Sequence, residues 1–220
     1  MDRLIYLHGF ASSPQSSKAR YFGEKFAALG RSVETPDLTQ GDFEHSTLSQ
    51  QLAFLESFVG NDPAVLMGSS MGGYLAALYA ARHPRSVAAA VLMAPAFGMA
   101  VRWTRSLGFD AMGDWQRLGY REVFHYGENR QARISYDLIA DGLQYEEFPD
   151  VRCPALVIHG RRDESVDYQL SVRFCEGRST AELVLYDSDH QLLDMLDPMW
   201  TRISSFVSED NTKATADKRR

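Results

Sequence analysis

One stretch of this 220-residue chain constrains its fold more than any other: Ala64-Val65-Leu66-Met67-Gly68-Ser69-Ser70-Met71-Gly72-Gly73. Four apolar residues, a length suited to a strand buried on both faces, enter a glycine-rich turn. The turn passes with no spacer into Tyr74-Leu75-Ala76-Ala77-Leu78-Tyr79-Ala80-Ala81, which is apolar nearly all round and reads as a buried helix ended by Pro84.

The same alternation recurs along the chain. Strands are expected at Leu4–Leu7, Val33–Thr35, Val87–Met93, Leu156–Ile158 and Leu183–Tyr186. Helical spacing links Ala19, Phe22, Phe26 and Leu29, with Gly30 as the stop, and then Leu48, Leu52, Leu55 and Val59. Tyr168, Val172 and Cys175 mark a further helical face. Asp197-Pro198 reads as an N-cap with proline at the first helical position, opening a last helix with Trp200, Ile203 and Val207. Short apolar strands alternating with helices predict an α/β fold, a mostly parallel sheet of about six strands with helices on both faces. Between Ala96 and Pro149 the alternation fails, over a length no plain loop of a compact domain explains. Residues 97–148 are therefore expected to form a small, mostly helical cap over the sheet edge, within one domain spanning 1–207. Residues 208–220 read as a flexible polar tail.

Composition narrows the function. Hydrophobic residues make up 45% and charged residues 24%, as in an ordinary globular domain, and the formal net charge is −6. Nucleic acid and anionic membrane surfaces are poor partners for such a chain. No apolar run approaches the roughly 18 residues of a membrane span. The N-terminus runs straight into a strand without a signal-peptide pattern, so the cytoplasm is the expected location. Cys153 and Cys175 have neither metal nor CxxC spacing and read as core residues. The oligomeric state is left open.

Gly68-x-Ser70-x-Gly72 between a strand and a helix matches the strained turn that lifts a nucleophilic serine above a sheet. Ser69 is out of register, because Met67 stands two residues before it. A phosphate-binding turn would need G-x-G-x-x-G or G-x-x-x-x-G-K-[ST], and neither is present. A nucleophilic serine requires a base and an acid that orients it, following in the order Ser, Asp, His. His125, His159 and His190 all lie after Ser70. His190 follows the last strand at the carboxyl edge of the sheet, where ligands bind, and is the expected base. Asp163, in the loop after the preceding strand, is the expected acid, ahead of Glu164; Asp167 reads as a helix cap. The oxyanion of an acyl-transfer intermediate needs two N–H donors, expected from the backbone of Met71 and of Phe10, with the His8 side chain bracing the loop of Phe10. No metal-ligand set and no cofactor motif is visible.

Tyr-Leu-His-Gly-Phe, Gly-Ser-Ser-Met-Gly-Gly, His-Gly-Arg-Arg-Asp-Glu-Ser-Val and Asp-Ser-Asp-His-Gln-Leu-Leu resemble α/β-hydrolase signatures in that family's order and spacing. The resemblance covers Leu4 to Val207 apart from the insertion. It is strongest to small single-domain serine esterases, including the acyl-protein thioesterase and acyl-glucuronide esterase branch. It implies hydrolysis of small-molecule carboxylic esters or thioesters through an acyl-enzyme, without a cofactor. The antiparallel strands that usually precede the HG loop are missing, so the sheet is expected to be trimmed. Amidase, peptidase or acyltransferase chemistry would use the same three residues. A non-catalytic binding protein on this fold would usually have lost one of them. Acyl selectivity is expected to come from the insertion, with Phe97, Met99 and Trp103 as pocket candidates and a short to medium acyl group preferred.

Overall fold

The computed structural model describes residues 2–60 and 62–208; apart from Ser208, the tail predicted over 208–220 lies outside the described residues. In chain order the strands are β1 (Arg3–Leu7), β2 (Val33–Glu34), β3 (Ala64–Ser69), β4 (Val87–Met93), β5 (Tyr120–His125), β6 (Arg130–Ser135), β7 (Ala155–Gly160) and β8 (Ala181–Tyr186). Six of them form one parallel sheet in the order β2-β1-β3-β4-β7-β8, while β5 and β6 pair as a separate antiparallel hairpin. β3 and β4 lie at the centre and are buried at every position, which is why they read as uninterrupted apolar runs.

Alternation along the strands sends side chains to two cores. Ile5, Leu7 and Leu66 face one side of the sheet, where they meet α2 (Leu48–Val59) and α3 (Met71–Arg82). Leu4, Tyr6, Val65 and Met67 face the other, against α1 (Ser17–Ala27) and the C-terminal helix. Helix starts follow local chemistry. Ser16 Oγ accepts from Ala19 N–H at α1, and Thr47 and Gln50 make a reciprocal capping box at α2.

Three local expectations fail. α1 ends at Ala27, so Leu29 falls in the turn beyond it and is 62% exposed rather than part of the buried face. The helix after β7, here Gln169–Cys175, buries Leu170, Ser171 and Phe174 rather than the face of Tyr168, Val172 and Cys175. The last helix begins at Leu196, one residue before Asp197, whose carboxylate takes the Tyr21 hydroxyl and the Lys25 ammonium instead of capping. At Asp197 the long-range contacts to Tyr21 and Lys25 outweigh a local preference.

The segment after β4 begins with α4 (Met99–Leu118), broken at Gly108 where φ is 77° and ψ 172°. The β5–β6 hairpin follows, then α5 (Asp137–Gly142). The hairpin departs from the mostly helical cap expected over 97–148. Its turn reaches over the sheet edge, where Tyr126 N–H donates to Ala11 O at 2.8 Å and ties it to the loop after β1. At its base the Trp115 indole N–H donates to Ile134 O at 3.1 Å, joining α4 to β6.

Candidate active site

The turn between β3 and α3 explains its own sequence. Ser70 has φ 54° and ψ −118°, a backbone conformation that L residues rarely adopt. Its N–H donates to Met93 O at 2.9 Å and its carbonyl accepts from Ala96 N–H at 3.0 Å, so β4 holds the strained residue in place. A Cβ on Gly68 would lie 2.3 Å from Gly72 O, and one on Gly72 would lie 2.2 Å from Leu7 O. Only hydrogen fits at either position, and this is the physical content of the G-x-S-x-G spacing. Ser70 Oγ thereby stands at the carboxyl edge of the sheet and the N-terminus of α3, where negative charge is favoured.

The loops leaving β7 and β8 bring the other two groups to that oxygen. His190 Nε2 lies 3.0 Å from Ser70 Oγ, across 120 residues of sequence, and His190 Nδ1 lies 2.6 Å from Asp163 Oδ2. Because a carboxylate only accepts, Nδ1 carries the proton and Nε2 is left free to accept the Ser70 hydroxyl hydrogen. The Asp163 side chain is shut off from solvent. Its Oδ1 accepts from the N–H groups of Ser165 and Val166 at 2.8 and 2.7 Å. Glu164 instead lines the cleft, and Asp167 Oδ1 accepts from Gln169 N–H at the start of the next helix. The other two candidate histidines, His125 and His159, do not face it. His125 closes the hairpin turn, its Nδ1 accepting from Glu128 N–H, and His159 is fully buried behind Asp163.

Burial by itself would raise the Asp163 pKa; hydrogen bonds from His159 and His190 outweigh it and hold the carboxyl well below the usual carboxylate range. A carboxylate with a depressed folded-state pKa stabilises the fold above its unfolded pKa of about 3.9, and that contribution is lost as pH falls toward the folded value. The wild-type unfolding free energy is therefore expected to drop as pH is lowered from about 4. The Asp163→Asn protein should show a flatter dependence in the same window. Parallel urea-unfolding curves of the two proteins across that range would contradict this assignment.

Met71 opens α3, where the first N–H groups have no intrahelical acceptor, and Phe10 N–H has no acceptor among the described residues. Both residues line the cleft with Ser70. His8 is buried beneath this loop, with Nδ1 3.0 Å from Gly9 O and Nε2 accepting from Leu38 N–H at 3.3 Å. Burial pushes its pKa down, which suits a neutral brace. The cleft has a volume of about 1110 Å³, and its walls come from the loop after β1, α4, and the loops carrying Asp163 and His190.

Of the three pocket candidates, Met99 and Trp103 line this cleft, and Trp103 packs edge-on against Phe10 with centroids 5.0 Å apart. Phe97 does not. Ala94 and Gly98 both have positive φ, and the chain between them turns the Phe97 ring inward, fully buried, onto Phe174 at 4.6 Å and against Tyr74 and Phe148. Several cleft residues escaped the sequence reading, among them Arg102, Tyr126 and Lys18. Lys18 Nζ donates to Gln191 O at 2.6 Å, and burial pushes its ammonium down to about 8. Lys18 lies in the first turn of α1, off the apolar face of Ala19, Phe22 and Phe26, so helical periodicity does not mark it. The hairpin bearing Tyr126 did leave a signal, since Ala132 and Ile134 alternate with polar residues after the turn Gly127-Glu128-Asn129. Among the described residues no group of three or more His, Cys, Asp or Glu is placed to hold a metal ion, and no helix is long and apolar enough to cross a membrane.

This sheet, this turn and this constellation of side chains define an α/β-hydrolase. Within that class the chain belongs to the uncharacterised protein family UPF0227, whose sequence profile matches residues 3–208. It is also similar to the palmitoyl-protein thioesterase ABHD10, mitochondrial, of Bos taurus, at 25% identity over 210 residues, covering 88% of this chain and 68% of that protein. The solved structure of alpha/beta hydrolase domain-containing protein 10 from mouse superposes with a TM-score of 0.79 at 21% identity, covering 94% of this chain and 89% of the other. Est1E from Butyrivibrio proteoclasticus, solved with ferulic acid bound, gives a TM-score of 0.79 at 20% identity, with 95% and 89% covered. These two structures share the fold.

Proposed function

We propose that the chain is a serine hydrolase that cleaves carboxylic esters or thioesters of short to medium acyl groups. The observation that carries this reading is the relay from Ser70 Oγ through His190 to Asp163, at 3.0 and 2.6 Å. In the proposed cycle Ser70 Oγ attacks the acyl carbon while His190 Nε2 takes its proton. Asp163 stabilises the imidazolium that forms. The N–H groups of Phe10 and Met71 hold the oxyanion of the tetrahedral intermediate. Its collapse expels the alcohol or thiol, which receives the proton from His190. Water, deprotonated by the same imidazole, then releases the acid and restores Ser70.

The preference for a limited acyl length rests on the walls of the cleft. Phe10, Met99 and Trp103 offer apolar area beside Ser70, whereas Ser12, Ser13, Lys18 and Arg102 make much of the remainder polar. The named thioesterase relatives make a thioester as reasonable a substrate as an oxygen ester. The test is a paired series of p-nitrophenyl esters and acyl thioesters of increasing length. Each methylene that fits is expected to improve kcat/KM by about 1 kcal/mol or less, up to an optimum. Met99→Ala and Trp103→Ala should move that optimum while Ser70 remains reactive to a small phosphonate. An unbroken rise to palmitoyl chains would overturn the length assignment. An optimum unmoved by either substitution would take the acyl site away from α4.

A further inference from the structure

The buried histidine behind the acid is not explained by the chemistry above. Asp163 Oδ2, the oxygen that faces His190 Nδ1, also lies 3.0 Å from His159 Nε2. The same His159 nitrogen lies 3.0 Å from Val166 O. Both of these neighbours are acceptors, and neither can donate, so Nε2 must carry a hydrogen and share it between them. The other ring nitrogen, Nδ1, lies 2.7 Å from Ser171 Oγ, which has a hydroxyl hydrogen to give. His159 and Ser171 are both fully buried, so no water competes for these bonds.

We infer that His159 is a positioning residue for the Ser70–His190–Asp163 relay, its Nε2 proton fixed by Ser171 and spent on the carboxylate oxygen that orients His190. The argument is geometric. A carboxylate held only at Oδ1 by two backbone N–H groups can still rotate about its Cβ–Cγ bond, and rotation changes the angle at which Oδ2 meets the His190 ring. A second imidazole N–H on Oδ2 removes that freedom. It comes from β7, an inner strand buried at every position, whereas His190 sits on a loop. The histidine seated in the sheet thus fixes the oxygen that the histidine on the loop must meet. Ser171, from the helix after β7, acts one step further back. If its hydroxyl were lost, the ring could place its proton on Nδ1, and a bare Nε2 would then face two acceptors with nothing to donate. The chain His159–Ser171 is unbroken within the protein interior and touches neither Ser70 nor the cleft.

This inference rests on the proposed hydrolase reading, and the experiment separates the two. Wild type and Ser70→Ala are first compared for labelling by a fluorophosphonate and for turnover of a p-nitrophenyl ester. Unchanged turnover in Ser70→Ala would sink the hydrolase reading itself. With Ser70 established, His159→Leu, His159→Gln and Ser171→Ala are measured for kcat, KM, thermal melting and the far-downfield proton resonance of the His190–Asp163 hydrogen bond. Loss of one bond to a charged group corresponds to about tenfold to hundredfold, so His159→Leu is expected to lose that factor in kcat with KM little changed. His159→Gln, which retains an N–H toward Asp163 and an acceptor toward Ser171, should recover most of the loss. Ser171→Ala should fall between wild type and His159→Leu, and the downfield resonance should shift or broaden in both. A role confined to filling the core would lower the melting temperature of Leu and Gln variants alike and leave the resonance in place. Wild-type kcat and resonance in a folded His159→Leu, or no recovery in His159→Gln, would overturn the inference. Should His159→Leu fail to fold, an unaltered kcat and resonance in Ser171→Ala would overturn it.

Discussion

Replacing Ser70 by alanine is expected to lower kcat by about 10⁴-fold or more, leaving only substrate binding and oxyanion stabilisation. The magnitude follows from the way the site is built. The strained backbone at Ser70 exists to place one oxygen 3.0 Å from His190 Nε2, and alanine removes that oxygen while keeping the turn. His190→Ala should cost about as much. The double variant should be little worse than either, because nucleophile and base act as one unit. Ser69→Ala supplies the control. Ser69 is the neighbouring hydroxyl, yet it belongs to β3 and is out of register with the two glycines, so labelling by a phosphonate should survive its loss. Labelling lost in Ser69→Ala and kept in Ser70→Ala would show the elbow to be read in the wrong register.

Phe97→Ala should destabilise the protein by about 3–5 kcal/mol, the usual cost of emptying a buried aromatic site. The ring is wholly enclosed, stacked on Phe174 with an interplanar angle of 20° and met edge-on by Phe148 and Tyr74. These partners come from the helix after β7, from the end of the insertion and from α3. Collapse into the hole would have to move three separate elements, which argues for the upper part of the range. The acyl-length optimum should meanwhile stay where it is, because no part of Phe97 faces the cleft. Urea unfolding and the ester series distinguish the two roles directly. A near-neutral stability change together with a shifted optimum would restore Phe97 to the pocket.

Much of this architecture was legible in local pattern. The four inner strands of the sheet appear where short apolar runs appear, because a strand covered on both faces has no solvent side and needs no polar alternation. The order of Ser70, Asp163 and His190 was legible too, since each follows the carboxyl end of a strand and the carboxyl ends of parallel strands gather at one edge. The hairpin of β5 and β6 was harder to see. Only Val123, Ala132 and Ile134 turn apolar side chains to the core, while Phe124 stands exposed on the other face, so the alternation is weak.

The sequence by itself determined that Gly68 and Gly72 must flank a serine in a turn with no room for a side chain, and that a buried helix must follow. It determined the strands of the main sheet, and through them the edge at which the chemistry sits. Only the tertiary structure decided where His159 goes, since it and His190 both meet Asp163 Oδ2 while His190 alone of the two reaches Ser70. It decided that Met99 and Trp103 face the cleft while Phe97 faces the core. The physical reason is the same in both cases. Periodicity reports which face of a helix or strand is apolar, but the direction of a side chain just beyond a strand depends on one or two backbone dihedrals, such as the positive φ at Ala94 and Gly98. Those dihedrals are set by packing between segments that are distant in sequence.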